Sequence, residues 1–173
     1  MVDEPGKRKP RPPLDQVALE RLALRYVERF ATTKARLTRY LNEKVRARGW
    51  TGAPADPAEI AERFSLLGYV DDRAFGEARA ATMLRRGLGP RRIAGALAAA
   101  GLARADRDTL DEAIQRDARN AAMRFAERRR FGPYAPERVG HEDRRKQIAA
   151  MVRAGHAFDL AREIIGTVDE ECH

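Results

Sequence analysis

The chain has 173 residues, 43% of them hydrophobic and 35% charged, which is enough to bury a real core as one large domain or a few small modules. The charged share exceeds the roughly 25% of an average globular chain while Pro and Gly stay modest, which excludes a disordered chain and describes a folded one with a heavily charged surface. Lys and Arg total 34 against 26 Asp and Glu, a net charge of +8; such a surplus suits a polyanionic partner, usually nucleic acid, though charges paired along helices account for it equally well. Cys172, the single cysteine, permits no disulfide framework within one chain and fits a reducing compartment. No apolar run follows the basic start and none approaches a membrane span, so the expected location is the cytoplasm, with no membrane partner.

Residues 1–13 are rich in Pro, Lys and Arg without an apolar period and read as a disordered basic tail. The first helix follows, with Leu19, Leu22, Ala23, Tyr26, Val27 and Phe30 on one stripe. A second begins near Lys34, turns Leu37, Leu41 and Val45 inward, and stops at Gly49 as a left-handed C-cap. A third opens on Asp56-Pro57-Ala58-Glu59, with Asp56 as cap, Pro57 in the first helical position and Glu59 completing a capping box. Ile60, Phe64 and Leu67 form its inner face, and Gly68 ends it. The pattern then restarts. Asp71 or Asp72 caps a helix with Phe75, Ala78 and Thr82 inward; Gly87-Leu88-Gly89-Pro90 breaks it and opens the next, with Ile93 and Leu97 inward and Gly101 closing. Asp106 or Asp108 starts a helix carrying Leu110, Ala113 and Ile114. In a third cycle Ala118, Ala121, Ala122 and Phe125 make a stripe, a Gly- and Pro-rich loop spans Phe131 to Gly140, Ile148, Met151 and Val152 line a helix ending at Gly155, and Leu160, Ile164 and Ile165 line the last.

These cycles read as internal repeats. Leu41-x3-Val45-x3-Gly49-Trp50 matches Ile93-x3-Leu97-x3-Gly101-Leu102, and Gln147-x3-Met151-x3-Gly155-His156 matches less well; the glycines stand 52 and 54 residues apart. The unit is a helix, a glycine C-cap, an anchoring side chain and another helix. No segment alternates with the period of a half-buried strand, and Ala, Leu, Arg and Glu abound. The expected fold is all-α: three tandem three-helix, helix-turn-helix-like repeats stacked into an elongated curved body, with repeats at 14–68, 69–115 and 116–167 and a C-terminal tail at 168–173.

No active site is legible. His141, His156 and His173 lack metal-ligand spacing, and Cys172 has no Cys-x-x-Cys partner, so neither a catalytic nor a metal site is expected, and no cofactor. Asp71-Asp72 is read as a helix cap rather than a paired-carboxylate metal site. Gly87-Leu88-Gly89-Pro90 lacks the phosphate-loop pattern and reads as helix punctuation. The arginines around it differ: Arg85, Arg86, Arg91 and Arg92 cluster at one tight turn, with free N–H groups of a helix start facing the same region, an arrangement suited to phosphate or carboxylate. Lys34, Arg36, Arg39 and Arg46 form a second basic face, Arg124 and Arg128 with Arg129 and Arg130 a third, and Arg144, Arg145 and Lys146 a fourth. Each alone is more often a solvated surface; their recurrence points to an extended polyanion track. Phe30, Phe64, Phe75 and Phe125 fall on core stripes and Trp50 beside Gly49 reads as a buried anchor, leaving no exposed aromatic platform for base stacking.

The stretch Gly68-Tyr69-Val70-Asp71-Asp72, Phe75, Arg85-Arg86-Gly87 and Gly89-Pro90-Arg91-Arg92-Ile93, with Leu97 and Gly101, resembles the RecX family, and the likeness extends over about residues 17–165. The resemblance implies tandem three-helix modules in a non-enzymatic regulatory protein that binds in the groove of a RecA filament on single-stranded DNA. It further implies inhibition of RecA ATPase, strand exchange and co-protease activity, and a part in DNA repair, recombination and the SOS response. The family supplies no catalytic residue; by position, Arg85, Arg86, Arg91 and Arg92 are the candidates for filament contact, joined by Lys34, Arg36, Arg39, Arg128, Arg144 and Arg145. The expected partners are RecA and, weakly and without sequence preference, single-stranded DNA, bound by a monomer. Three departures stand out: a second helix about one turn longer before Gly49, an inserted Phe131–Gly140 segment, and His156 in place of an aromatic or aliphatic residue.

Two other readings fit the same helices. A helix-turn-helix regulator of duplex DNA would need base-reading residues at a helix start, and only Gly89-Pro90-Arg91-Arg92 qualifies. A helical module that binds protein without nucleic acid needs neither.

Overall fold

The computed structural model describes residues 12–137 and 139–166. The expected tails, apart from Pro12 and Pro13, lie outside the described residues, Cys172 and His173 with them. Among the described residues there are nine α-helices and no strand: α1 (Gln16–Val27), α2 (Lys34–Arg48), α3 (Pro57–Leu66), α4 (Asp72–Arg85), α5 (Pro90–Ala99), α6 (Arg104–Arg116), α7 (Ala118–Arg129), α8 (His141–Arg153) and α9 (Phe158–Gly166). The all-α expectation holds. A 3-10 turn, Gly132–Tyr134, sits in the Phe131–Gly140 segment, and Leu14 makes an isolated parallel bridge with Trp50. The chain divides into two compact units, Met1–Asp71 and Asp72–His173.

The first unit holds α1 to α3. Three polar side chains start its helices: Asp15 accepts from the amide of Ala18 at 2.7 Å, Thr33 from Arg36 at 3.2 Å, and Asp56 from Glu59 at 2.9 Å with Pro57 in the first helical position. Each such cap is worth about 1 kcal/mol. Leu19, Leu37, Leu41, Ile60 and Phe64 close around Leu14 and Val70, each large side chain contributing roughly 1.5–3 kcal/mol by leaving water.

The second unit holds α4 to α9 and two core clusters. Met83, Ile93, Leu97, Leu102, Leu110 and Ile114 form one; Ala122, Ala126, Met151, Ala161, Ile164 and Ile165 form the other. Helix α7 touches both α4 and α6, so the clusters lie in one body. The polar Gln147 is buried because its Oε1 accepts the amide of Gly132 at 2.9 Å, tying the 3-10 turn to α8.

Several sequence-based side-chain assignments shift. α1 ends at Val27, so Phe30 falls off its stripe and stays 53% exposed, leaning on Tyr26. Leu67 lies one residue past the end of α3 and is 63% exposed. α4 buries Gly76, Ala80 and Met83, not Ala78 and Thr82, which are exposed; Phe75 is half-buried on the edge of that core. Gly76 packs under two leucines: a Cβ at residue 76 would lie 2.6 Å from Leu102 Cδ2 and 2.7 Å from Leu110 Cδ1, so those side-chain ends would have to shift to admit a larger residue. α6 begins at Arg104, ahead of both expected Asp caps, and its Ala113 is exposed. Trp50 is half-buried, and its indole donates to the carbonyl of Ala53.

The repeated glycines do what their spacing implies, with one difference. Gly101 and Gly155 take positive φ (81° and 98°), and the residue after each donates back five positions, Leu102 to Leu97 and His156 to Met151, at 3.2 Å in both. That is the bonding of a Schellman end, with the following side chain buried. Gly49 also has positive φ, but Trp50 leaves for the bridge with Leu14 instead. α7 ends the same way without glycine: Arg130 sits at φ 55°, ψ 49°, and Phe131 donates to Ala126 at 2.8 Å.

Candidate basic interface

The α4–α5 turn is held from three sides. Leu88 donates to Met83 at 3.0 Å, closing α4 around Gly87. The next residues bond to the α8–α9 turn, Gly89 N–H to Ala154 O at 2.9 Å and Arg91 N–H to Gly155 O at 3.2 Å. His156 Nε2 donates to Gly87 O at 3.0 Å. The backbones cross so closely that a Cβ at residue 89 would lie 2.3–2.4 Å from the backbone of Gly155 and His156, and one at residue 155 would lie 2.5 Å from Arg92 N. A Cβ at Gly87 would meet Phe125 N at 2.9 Å.

On this fixed turn Arg85, Arg86, Arg91 and Arg92 are all exposed. Arg85 Nη2 donates to Thr82 Oγ1 at 3.0 Å, and Arg128 Nη1 reaches Arg85 O at 3.5 Å, which brings the α7 guanidinium to the same edge. One expectation fails here. The amides at the start of α5 are not open to an anion: Arg91 N–H is taken by Gly155 O, and Arg92 and Ile93 N–H by Gly89 O at 3.0 and 3.1 Å. What this turn offers an anion is guanidinium side chains, not the amides of the α5 start.

The other candidates are placed elsewhere. Lys34, Arg36 and Arg39 lie on α2 in the first unit, where Lys34 pairs with Glu62 at 3.0 Å and Arg39 is exposed. Arg144 and Arg145 lie in the first turn of α8; Arg145 is about nine residues, roughly 13 Å, from the Ala154 end of that helix. Arg124, grouped with Arg128 by spacing, is a structural residue paired with Asp117. Arg119 pairs with Glu163 at 2.8 Å, which holds the Glu163 carboxyl below its usual range and raises the arginine. Half-exposed pairs of this kind are worth little in stability.

His156 is fully buried against Phe125, with ring centroids 5.7 Å apart. Burial lowers its pKa below 6.5, only partly opposed by the bond to Gly87. Nδ1 is buried with no hydrogen-bond partner among the described residues, which fits the neutral Nε2–H tautomer. His156 stands out in the sequence as a departure, but local spacing carries no sign of its bond to Gly87, 69 residues away.

Aromatic exposure also differs from expectation. Tyr26 stacks on Tyr40 at 4.2 Å, Phe30 tilts onto Tyr26 at 5.3 Å, and Lys44 Nζ lies 5.0 Å from the Tyr40 ring. Arg36, Tyr40 and Lys44 follow one another at i, i+4 and i+8 along α2, so the first unit carries a basic and aromatic file with Phe30 open to solvent. Tyr69 and Phe158 are also more than half exposed. Among the described residues no group of three or more His, Cys, Asp or Glu could hold a metal ion, and no helix is long and apolar enough to cross a membrane.

The sequence matches the family model for RecX, second three-helix domain, over residues 71–110, which span α4, the arginine turn, α5 and the first half of α6. It is 29% identical to a protein named regulatory protein RecX from Myxococcus xanthus (strain DK1622), over 94% of this chain and 91% of the relative. A second protein of that name, from Agrobacterium fabrum (strain C58), is 27% identical over 86% of this chain and 82% of its own. A crystal structure of regulatory protein RecX superposes with a TM-score of 0.65 over 88% of this chain and 71% of that one; at 20% identity this is a likeness of fold.

Proposed function

The chain belongs to the RecX family, and from that premise we propose that it is a non-enzymatic regulator that binds a RecA filament on single-stranded DNA and inhibits ATP hydrolysis, strand exchange and co-protease activity. The observation that carries the reading is the turn between α4 and α5: exposed guanidinium groups at 85, 86, 91 and 92 on a backbone fixed by the α8–α9 turn, with Arg128 drawn to the same edge. Such a rigid basic prow suits phosphate or an acidic protein patch. Lys34, Arg36 and Arg39 on α2 and Arg144 and Arg145 on α8 supply further weak contacts. Three modules bounded near 14–68, 69–115 and 116–167 then act as a multivalent monomeric clamp across neighbouring RecA subunits. A clamp of that kind arrests more subunits than it occupies.

The test is a titration of RecA ATPase on single-stranded DNA. The expected result is inhibition at well below one molecule per RecA subunit, weakened in the double variant R91E/R92E, whose exposed positions leave the fold intact by circular dichroism. A folded double variant that inhibits as well as the parent removes this turn from the interface. No inhibition by the parent, in excess and at low salt, defeats the RecA reading.

A further inference from the structure

Helix α8 carries more apolar surface than its core takes in. Met151 is fully buried, but Ile148 and Val152 are half-buried, Ala149 is exposed, and Phe158, where α9 begins, leaves 56% of its surface in water. These four line an open depression of about 550 Å³ whose other lining residues are Arg145 and Arg153. A smaller depression of about 230 Å³ continues it past Arg145 and Ile148 toward His141 and Arg162. Floor and rim thus differ sharply: hydrocarbon below, guanidinium at the edge. Neither Arg145 nor Arg153 has an ion-pair partner among the described residues.

We infer that this groove receives a short acidic amphipathic segment of a protein partner, its apolar side chains on Ile148, Val152 and Phe158 and its carboxylates against Arg145 and Arg153. An exposed apolar patch rimmed by charge is the usual mark of a protein-binding surface. The apolar floor selects side chains over phosphates, which gain nothing from hydrocarbon, and the exposed guanidinium groups at the rim select carboxylates over ammonium groups. A single aromatic ring at one end is a poor platform for successive bases. The inference goes beyond the RecA reading and is independent of it, since it rests on the groove alone.

The test selects a displayed library of random 12-residue peptides on the full chain, in the absence of RecA and DNA, and titrates the enriched peptides by fluorescence anisotropy. The expected peptides carry apolar residues at i and i+3 or i+4 beside Asp or Glu. Phe158→Ala and Arg153→Glu, both at exposed positions, each weaken binding about tenfold or more. Arg79→Glu, an exposed charge reversal on α4, leaves binding unchanged. Lack of enrichment, enrichment of basic or uncharged peptides, or affinity indifferent to both groove variants overturns the proposal. Displacement of the peptide by a 20-residue oligothymidylate whose own binding falls with Phe158→Ala reassigns the groove to nucleic acid and overturns it as well. Tighter peptide binding after deletion of residues 167–173 assigns the groove to the chain's own acidic end and likewise overturns a partner in trans.

Discussion

Gly89 and Gly155 touch backbone to backbone across 66 residues of sequence, each filling the space a Cβ on the other would need. Glycine stands at both because neither turn has anywhere to move: Gly89 N–H is bonded to Ala154 and Arg91 N–H to Gly155. Gly155→Ala is expected to destabilise the protein by about 3 kcal/mol, since it adds both a clash with Arg92 and a strained positive φ. Gly95, inside α5 with nothing among the described residues within 4 Å of its missing Cβ, is the contrast. Gly95→Ala is expected to stabilise by about 0.5–1 kcal/mol through helix propensity. Urea denaturation of both variants checks the pair; equal effects would remove the crossing as the cause.

The buried imidazole of His156 makes stability depend on pH. Its folded pKa is depressed by burial below the 6.5 of an open histidine, so below about that pH the unfolded chain binds the extra proton and the folded one resists it. Stability is therefore full above roughly pH 6.5 and declines as pH falls through and below that value. His156→Leu fills similar space without a titrating group. The difference in denaturation midpoint between parent and variant is expected to shift toward the variant between pH 7.5 and pH 5.5, values spanning roughly one unit on each side of the open-histidine pKa. A pH-independent difference would place the ring outside the core.

Arg130 ends α7 in the left-handed region, which costs a non-glycine residue about 1–2 kcal/mol. Glycine relieves that strain and gives back about 0.5–1 kcal/mol through the freedom of the unfolded chain. Arg130→Gly is thus expected to raise stability by up to about 1 kcal/mol, read as an increased thermal midpoint. A fall in midpoint would show that the guanidinium contributes more than the backbone conformation costs.

Two phenylalanines that look alike on a helical wheel separate in the fold. Phe64 is 6% exposed in the first core and Phe30 is 53% exposed beyond α1. Phe64→Ala is expected to cost about 3–5 kcal/mol and Phe30→Ala less than about 1 kcal/mol. If the file on α2 contacts single-stranded DNA, Phe30→Ala also weakens oligonucleotide binding, which a fluorescence titration at low salt reads directly.

Much of the fold was legible because local rules and packing agree. Leu37 and Leu41 keep helical period in α2 and are fully buried, Asp56 and Pro57 open α3, and Gly101 and Gly155 close α5 and α8. The period misleads where it has no contrast or runs past a helix end. Ala74, Ala78, Ala80 and Ala81 spread small apolar residues round α4, so the pattern does not single out the inner face, which in the fold is the one where Gly76 meets Leu102 and Leu110. Phe30 and Leu67 continue a helical rhythm after the helix has stopped. The arginine turn was visible as a run of like residues, but its support was not. Gly89, Gly155 and His156 are joined by contacts far apart in sequence, and local spacing carries no trace of such pairings. The α5 amides were misread for the same reason: the carbonyl of Gly155 that takes Arg91 N–H comes from a distant segment.

For the binding proposed at this turn, the locked backbone also sets the entropic cost. A flexible loop bearing the same arginines would have to lose backbone freedom as well as side-chain freedom on meeting an anionic partner, at about 1–2 kcal/mol per ordered residue for the backbone alone. At 87–91 the backbone is already bonded to Ala154, Gly155 and His156, so only the guanidinium rotamers remain to be ordered. Loosening the turn is therefore expected to weaken the proposed complex without removing a single charge. Gly155→Ala, tested at a temperature where it is still folded, would keep every arginine and yet dissociate faster.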